Sequence, residues 1–503
     1  MTAQTHETLG RRLDAVLALD PATAAIEYQG QTISWADLAN AADDIERLLA
    51  EAGIAPDAPI GWAARNRPPA VASFIALVRG GRMVVPLRPA YNLSNFRDDI
   101  ATQKLEAVIG DPDDWADEGV VAAAREAGSL GIEISQHPFS VRLVPGLEKP
   151  GPGPHRDPMP GYVLERLTSG TTGAPKRIPV RQEILMPSLK AGDEQRDDGP
   201  AKLTLKSSPA LLFKPFSHAG GLFGLLLSLF QARPVVLFEK FNVSEWVEAV
   251  AKYKPKAASL VPAMIRMVLE ADVDPAKLAS LIAIRSGTAP LETEIQEAFE
   301  QKFNCAVLVD YGAAEFIGGL AGWTLKDHKQ FSREKRGSVG RAKSDVQIRV
   351  VDQGNFAPLP ADEIGIVEVK SDRYGPDWIR TNDLARIDSD GFIFLKGRAD
   401  DAINRGGFKI LPEEVAAVLR RHPKVGDAAI VGRKDVRLGE VPVAAIELPE
   451  GSTEKPDKEE LDSFLKATLP SYMVPVEYRI VDALPRTISM KVSRPELKSL
   501  LGV

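Results

Sequence analysis

Residues 167–176, LTSGTTGAPK, hold the side chains best suited to chemistry. Positions 167–173 carry two glycines and four hydroxyl residues. Glycine lets a backbone approach an anion closely, and hydroxyl groups beside free N–H groups supply hydrogen bonds to phosphate oxygens. Lys176 adds a positive charge. A Walker A loop needs Gly before that Lys and Ser or Thr after it, and Pro175 and Arg177 stand there instead. The segment therefore reads as a phosphate-binding loop of another kind or as an exposed Ser/Thr/Gly turn. His218, in FKPFSHAGG, has no second His or Cys near it in sequence, so no metal site is suggested there.

The elements around the loop must hold it still. Apolar residues 162–164 precede it and 178–180 follow it, which predicts two strands joined by the loop. Upstream, Ser34 caps a predicted helix with Leu38, Ala41, Ile45, Leu48 and Leu49 on one face. A short strand is expected over 58–62, a helix through 71–78 ending near Gly80 and Gly81, and a strand over 83–87. This β-α-β rhythm predicts an α/β fold. Residues 148–159 (EKPGPGPHRDPM) and 192–199 (GDEQRDDG) read as surface connections. Residues 397–407, GRADDAINRGG, separate strand-like 391–395 from a helix starting near Pro412. Further strands are expected over 428–431 and 443–447. A domain boundary is placed at Asp400.

Composition narrows the classes. The 503 residues, 44 % apolar and 26 % charged, suit a multidomain globular protein and exclude a disordered or collagenous one. A net charge of −7 gives no global basic field, so no nucleic-acid partner is expected. The single Cys305 excludes an intramolecular disulfide framework and a multi-thiolate zinc site. Residues 219–230, the most apolar stretch, fall short of the roughly 18 that a membrane span needs. The N-terminal residues lack the basic-then-apolar pattern of a signal peptide, and a cytoplasmic location is expected.

LTSGTTGAPK resembles the phosphate-binding signature of the adenylate-forming superfamily: acyl- and aryl-CoA ligases, peptide-synthetase adenylation domains and firefly luciferases. The resemblance continues in order from Thr32 to Arg494. ALVRGGRMVVPLRPAYN at 76–92 is similar to an early structural motif, and FKPFSHAGG at 213–221 to the aromatic/His segment beside the acyl pocket. SGTAPL (286–291), DYGAAE (310–315), WIRTND (378–383), GRADDAINRGGFKILPEEV (397–415) and PRTISMKVSR (485–494) resemble the adenine loop, the adenine/magnesium segment, the ribose motif, the hinge and the C-terminal lysine motif. The resemblance implies a large N-terminal domain of layered α/β subdomains over 1–399, which binds ATP and the acid. A small mobile C-terminal α/β domain over 400–503 would carry the catalytic lysine.

It also implies roles for single residues. Thr168, Ser169, Gly170, Thr171, Thr172, Gly173 and Lys176 would cradle phosphate. Gly287, Thr288, Ala289 and Pro290 would pack on adenine with Asp310, Tyr311, Gly312, Ala313 and Ala314, the Tyr311 ring lying flat against it. Glu315 would offer a hard oxygen to magnesium, and Asp383, expected on the turn that its Thr-Asn prefix signals, would accept bonds from both ribose hydroxyls beside Arg398. Lys491 would drive adenylation, Asp400 would be the hinge, and Gly406, Gly407 and Phe408 would meet coenzyme A. His218 would border the acyl pocket as a gate or orienter. Phe213, Phe216, Leu222 and Phe223 read equally as pocket lining or core, and pocket width would depend on the segments around Phe213, Thr288 and Gly318.

The expected activity is that of an acyl- or aryl-CoA ligase joining a small-molecule carboxylic acid to coenzyme A, with ATP and Mg2+. The alternatives are a stand-alone adenylation enzyme loading a carrier protein and a non-catalytic acyl- or nucleotide-binding relative. Amino-acid-activating members usually place an Asp where FSHAGG stands, and its absence favours an acid without an α-amino group. The sequence departs from the family at Ala314 (often Thr), Asn382 (often Gly) and Met490 (usually Gly). Lys176, Glu315, Asp383 and Lys491 are all retained.

Overall fold

The helix Trp35–Glu51 starts where Ser34 and Asp37 close a reciprocal capping box, and it buries Leu38, Ala41, Ile45 and Leu49. Pro68 opens the helix Pro68–Arg79, whose missing N–H costs nothing in the first turn. The strands Pro59–Ala63 and Met83–Leu87 are wholly buried and run parallel. Such continuous apolar strands mark a sheet covered on both faces.

The computed structural model describes residues 7–89, 93–168, 176–193, 203–313, 315–487 and 490–503. The chain divides into two compact units: the described residues up to Ser259 with Met267–Ile282, and Leu260–Arg266 with Ala283–Val503. The first holds a seven-stranded sheet in the order Val141–Leu143, Leu130–Ile134, Ala107–Gly110, Pro59–Ala63, Met83–Leu87, Tyr162–Thr168, Lys176–Arg181. A smaller sheet pairs Ala210–Leu212, Val235–Leu237, Ala24–Tyr28 and Gln31–Ser34. Residues 148–159 form an irregular connection as expected, whereas the helix Gln182–Asp193 runs past Gly192, where a loop was expected to begin.

In the second unit, Ala283–Ser286 runs parallel to Ala306–Tyr311, which continues antiparallel to Ala321–Gly322. A four-stranded antiparallel sheet follows: Gln347–Val351, Gly365–Ser371, Gly375–Ile387, Ile393–Arg398. The last sheet pairs Asp427–Asp435 with Gly439–Glu447. Alternation along Asp427–Asp435 sends Ala428 and Ile430 into one core and Ala429 and Val431 into another. The first core includes Val415 and Leu419 of the helix Pro412–Leu419 and Leu461 and Leu465 of Lys458–Lys466. The second includes Leu497 and Leu501 of the helix Arg494–Leu501, so that sheet is covered on both sides. Among the described residues no helix is long and apolar enough to cross a membrane.

Candidate active site

The phosphate-loop candidate closes a β-hairpin. Tyr162–Thr168 and Lys176–Arg181 are antiparallel, and Thr168 stands opposite Lys176. Ser169, Gly170, Thr171, Thr172 and Gly173 lie outside the described residues, as does Ala314. Lys176 is exposed and Arg177, one step on, turns inward. Arg177 donates to the Pro86 carbonyl at 2.8 Å and to Asp99 Oδ1 at 3.0 Å. Asp99 also takes a two-pronged pair from Arg88, at 2.8 and 2.9 Å. This buried ion network locks the hairpin to the strand Met83–Leu87. Sequence reading missed Arg177, whose only signal was its alternation with Lys176.

His218 is the N-cap of the helix Ala219–Phe230. Asn66, 6 % exposed, fixes the segment before it. Its Nδ2 donates to the Lys214 and Phe238 carbonyls at 3.0 and 3.2 Å, and its Oδ1 accepts from Phe216 N at 2.9 Å. Gly221 is needed for the same turn, since a Cβ there would sit 2.1 Å from the Pro215 carbonyl oxygen. Phe213, Phe216 and Leu222 are core residues, with Phe216 stacked on Trp62 at 6.1 Å, and Phe223 is half-buried.

In the second unit the adenine-loop candidate leaves the strand Ala283–Ser286. A Cβ on Gly287 would lie 2.8 Å from the Asp310 carbonyl oxygen. Thr288 follows at φ +76°, unusual for a β-branched residue, and is exposed. Ala289 and Pro290 lead on toward the helix Thr293–Phe303. Tyr311 ends the strand Ala306–Tyr311, 6 % exposed, and donates its hydroxyl to Asp383 Oδ2 at 2.7 Å. Burial and the Asp383 carboxylate push the Tyr311 hydroxyl pKa well up, so it is a fixed donor. Gly312 is exposed, Ala313 half-buried, and Glu315 exposed. Asp310 is held by Arg285 Nη1, 3.1 and 3.2 Å from its two oxygens.

Asp383 lies within the strand Gly375–Ile387, not on the turn that its Thr-Asn prefix suggested. It pairs with Arg398 across the ladder, beside a register shift after Leu384. Arg398 Nη1 is 3.6 Å from Asp383 Oδ1, and its Nε and Nη2 both grip Asp400 at 2.9 Å. Asp400 sits in the 3-10 turn Ala399–Asp401 and also accepts from Asn382 Nδ2 at 3.2 Å. Next to it, Asp401 pairs with Arg494.

Lys491 is brought to this cluster by a tight turn, in which Thr487 N donates to the Lys491 carbonyl at 2.7 Å. Burial lowers the ammonium pKa, Arg398 lowers it further, and Asp383 opposes both. Tyr311, Asp383, Arg398 and Lys491 thus form one electrostatic site from residues up to 180 positions apart in sequence. Met490 before it has φ +63°, the left-handed region that glycine occupies freely.

Gly406 and Gly407, at φ +57° and +90°, make the two-residue turn between Ile403–Arg405 and Phe408–Ile410. Phe408 is 56 % exposed and stacks on Tyr472 at 4.6 Å. Among the described residues no three His, Cys, Asp or Glu gather to hold a metal ion alone.

Comparison with known proteins shows the family and the fold. Residues 13–374 match the family model for AMP-binding enzymes, and 414–491 that for the AMP-binding enzyme C-terminal domain. The chain belongs to the AMP-binding enzyme family. It is 28 % identical over 355 residues to 4-coumarate–CoA ligase 2 of Nicotiana tabacum, covering 67 % of this chain and 64 % of that one. To 2-succinylbenzoate–CoA ligase of Bacillus velezensis it is 31 % identical over 352 residues, covering 66 % and 68 %. The chain thus spans a little under two thirds of the tobacco enzyme's length. The fold is that of ATP-bound MatB from Rhodopseudomonas palustris, with a TM-score of 0.81, 23 % identity and 98 % of each chain covered.

Proposed function

We propose that this protein is an AMP-forming acyl- or aryl-CoA ligase of the cytoplasm, acting on a small-molecule carboxylic acid. The observation that carries the reading is the electrostatic coupling of Lys491 to Asp383 and Arg398, the last of which lies 3.6 Å from Asp383 and grips Asp400. A carboxylate attacking the α-phosphate of ATP, forming the acyl-adenylate as pyrophosphate leaves, must overcome charge repulsion while staying aligned. Lys491 neutralises the attacking and phosphate oxygens. Asp383 accepts the ribose hydroxyls, and the Tyr311 hydroxyl holds that carboxylate in place. Lys176 and the loop before it take phosphate oxygens, with residues 287–290 and 310–314 around adenine. Glu315 would hold magnesium, which would supply charge neutralisation at the phosphates. Coenzyme A sulfur then attacks the acyl-adenylate carbonyl, AMP leaves, and the proton goes to solvent. For this step the domain of residues 400–503 turns at Asp400, and Gly406, Gly407 and Phe408 meet the pantetheine arm. His218 orients the acyl group.

The test is pyrophosphate release screened over short, medium, long and aromatic acids, followed by thioester formation with coenzyme A. Acid-dependent release and a CoA thioester are expected. Release without a thioester overturns the acceptor, and no release with any acid overturns the enzyme.

A further inference from the structure

Lys343 follows the strand Arg341–Ala342, where its N–H donates to the Leu320 carbonyl at 3.0 Å. Its side chain reaches over Gly319. A Cβ on Gly319 would sit 2.7 Å from Lys343 Nζ and 3.2 Å from its Cε, so the ammonium fills the space where a side chain of residue 319 would go. The segment before it is held rigidly. Tyr374 hydroxyl accepts from Ile317 N at 3.0 Å and donates to the Ile317 carbonyl at 2.5 Å, and its ring meets Phe316 edge-on at 4.9 Å.

The charges here do not balance. Asp310 is taken by Arg285, and Asp345 by Arg373 Nε at 2.7 Å. Lys343 has no carboxylate within 4 Å among the described residues. Arg373 is itself buried, and its Nη2 has no hydrogen-bond partner among the described residues. Lys343 thus lies in the field of Arg285 and Arg373, while the two carboxylates that oppose them, Asp310 and Asp345, are already paired with those arginines. Burial lowers the Lys343 pKa and Arg285 and Arg373 lower it further, while Asp310 and Asp345 oppose this. A desolvated, unpaired ammonium is costly, and an incoming anion relieves that cost.

We propose that Lys343 is a specificity residue that ion-pairs with a second anionic group, a distal carboxylate, on the acid being activated. This rests on the ligase reading above and on the resemblance by which the segment around Gly318 bears on the width of the acyl pocket. The substrate class is then a dicarboxylic acid, or another acid with an anionic far end, in place of a plain fatty acid. Sites built to pair a substrate group reject analogues that lack it far more strongly than apolar pockets reject a missing methylene.

The experiment compares kcat/KM of the full-length enzyme for succinate, glutarate and adipate with butanoate, pentanoate and hexanoate, by pyrophosphate release. The best diacid is expected to exceed its monoacid by about tenfold or more. Lys343→Met should cut that ratio about tenfold or more through the diacid KM, with the KM for ATP unmoved, and Lys343→Arg should keep most of it. Gly319→Ala, whose methyl would stand 2.7 Å from the ammonium and displace it, should lower the same ratio with the charge intact. Turnover of monoacids with no diacid preference overturns this inference alone. So does a Lys343→Met protein in which both acids lose equally or the KM for ATP rises. Absence of release with every acid overturns the ligase reading and this inference with it.

Discussion

Arg398 holds Asp400 with a two-pronged pair, Nε and Nη2 each 2.9 Å from a carboxylate oxygen, while its remaining nitrogen lies 3.6 Å from Asp383. One planar guanidinium thus spans the proposed ribose carboxylate and the proposed pivot, which a lysine's single charge would not do. Turning at Asp400 must break or carry along that grip. Asp400→Pro, which restricts φ at the pivot, should keep adenylation and lose thioester formation. Lys491→Ala should do the reverse, failing at adenylation yet converting supplied acyl-adenylate to thioester. Single-turnover assays of the two half-reactions read the difference. Loss of the same half-reaction in both folded variants means that the domain does not work in two orientations.

The Tyr311 hydroxyl and Asp383 act as one unit. Hydrogen bonds to a charged group contribute about 1.5–3 kcal/mol. Asp383→Ala should therefore raise the KM for ATP about tenfold or more, and Tyr311→Phe by a smaller factor in the same direction. The double variant should be little worse than Asp383→Ala, since neighbours in one network are not additive. Additive losses, measured as kcat/KM for ATP, would separate the two residues.

Lys491 sets an alkaline limit. Its pKa is lowered by burial and by Arg398, so the cation needed for adenylation is lost below the pH at which an ordinary lysine titrates. Asp383 opposes the shift, and Asp383→Asn should move the alkaline limb to lower pH, while Arg398→Gln should move it higher. Stability runs the other way. The unfolded chain binds more protons at this lysine between its folded and unfolded pKa values, so its contribution to stability rises with pH across that window. Pre-steady-state adenylation against pH checks the limb, and Lys491→Arg should remove it.

Met490 sits at φ +63° directly before Lys491. A left-handed residue other than glycine carries a cost of about 1–2 kcal/mol, part of which glycine returns through its greater freedom in the unfolded chain. Met490→Gly should hold or raise the adenylation rate. Met490→Val, β-branched and ill-suited to this φ, should lower it with the rest of the protein folded. Equal rates for both variants would show that the turn does not depend on residue 490.

Legibility in the sequence followed the range of the forces. The helix Trp35–Glu51, the strand Met83–Leu87 and the hairpin around the phosphate loop rest on caps, apolar runs and turn residues a few positions apart, and these were readable. Asp383 was misplaced onto a turn because a Thr-Asn pair is a turn signal until a ladder with Arg398 overrides it. Arg177, Asn66 and Lys343 carried no local signal. Their partners Asp99 and Phe216 lie 78 and 150 residues away, and the Gly319 gap exists only once two strands have paired. Phe213 and Phe216, open to two readings from composition, became core residues because Trp62 and Phe241 pack on them.

Asn66 gives the last prediction. Its amide bonds three backbone groups on two segments, the Lys214 and Phe238 carbonyls and the Phe216 N–H, immediately before His218. No aspartate can replace it, since a carboxylate accepts but does not donate and would face two carbonyl oxygens. A buried polar group left without its partner costs about 1–3 kcal/mol. Asn66→Asp and Asn66→Ala should therefore both destabilise the first unit by about 2 kcal/mol or more, read as earlier loss of its hydrogen-exchange protection. Because the freed segment carries His218, the KM for the acid should rise while the KM for ATP changes little. His218→Ala should raise the acid KM without the loss of protection, which separates holding the loop from touching the acid. If Asn66→Asp keeps both full protection and the wild-type acid KM, the three hydrogen bonds do not position the loop.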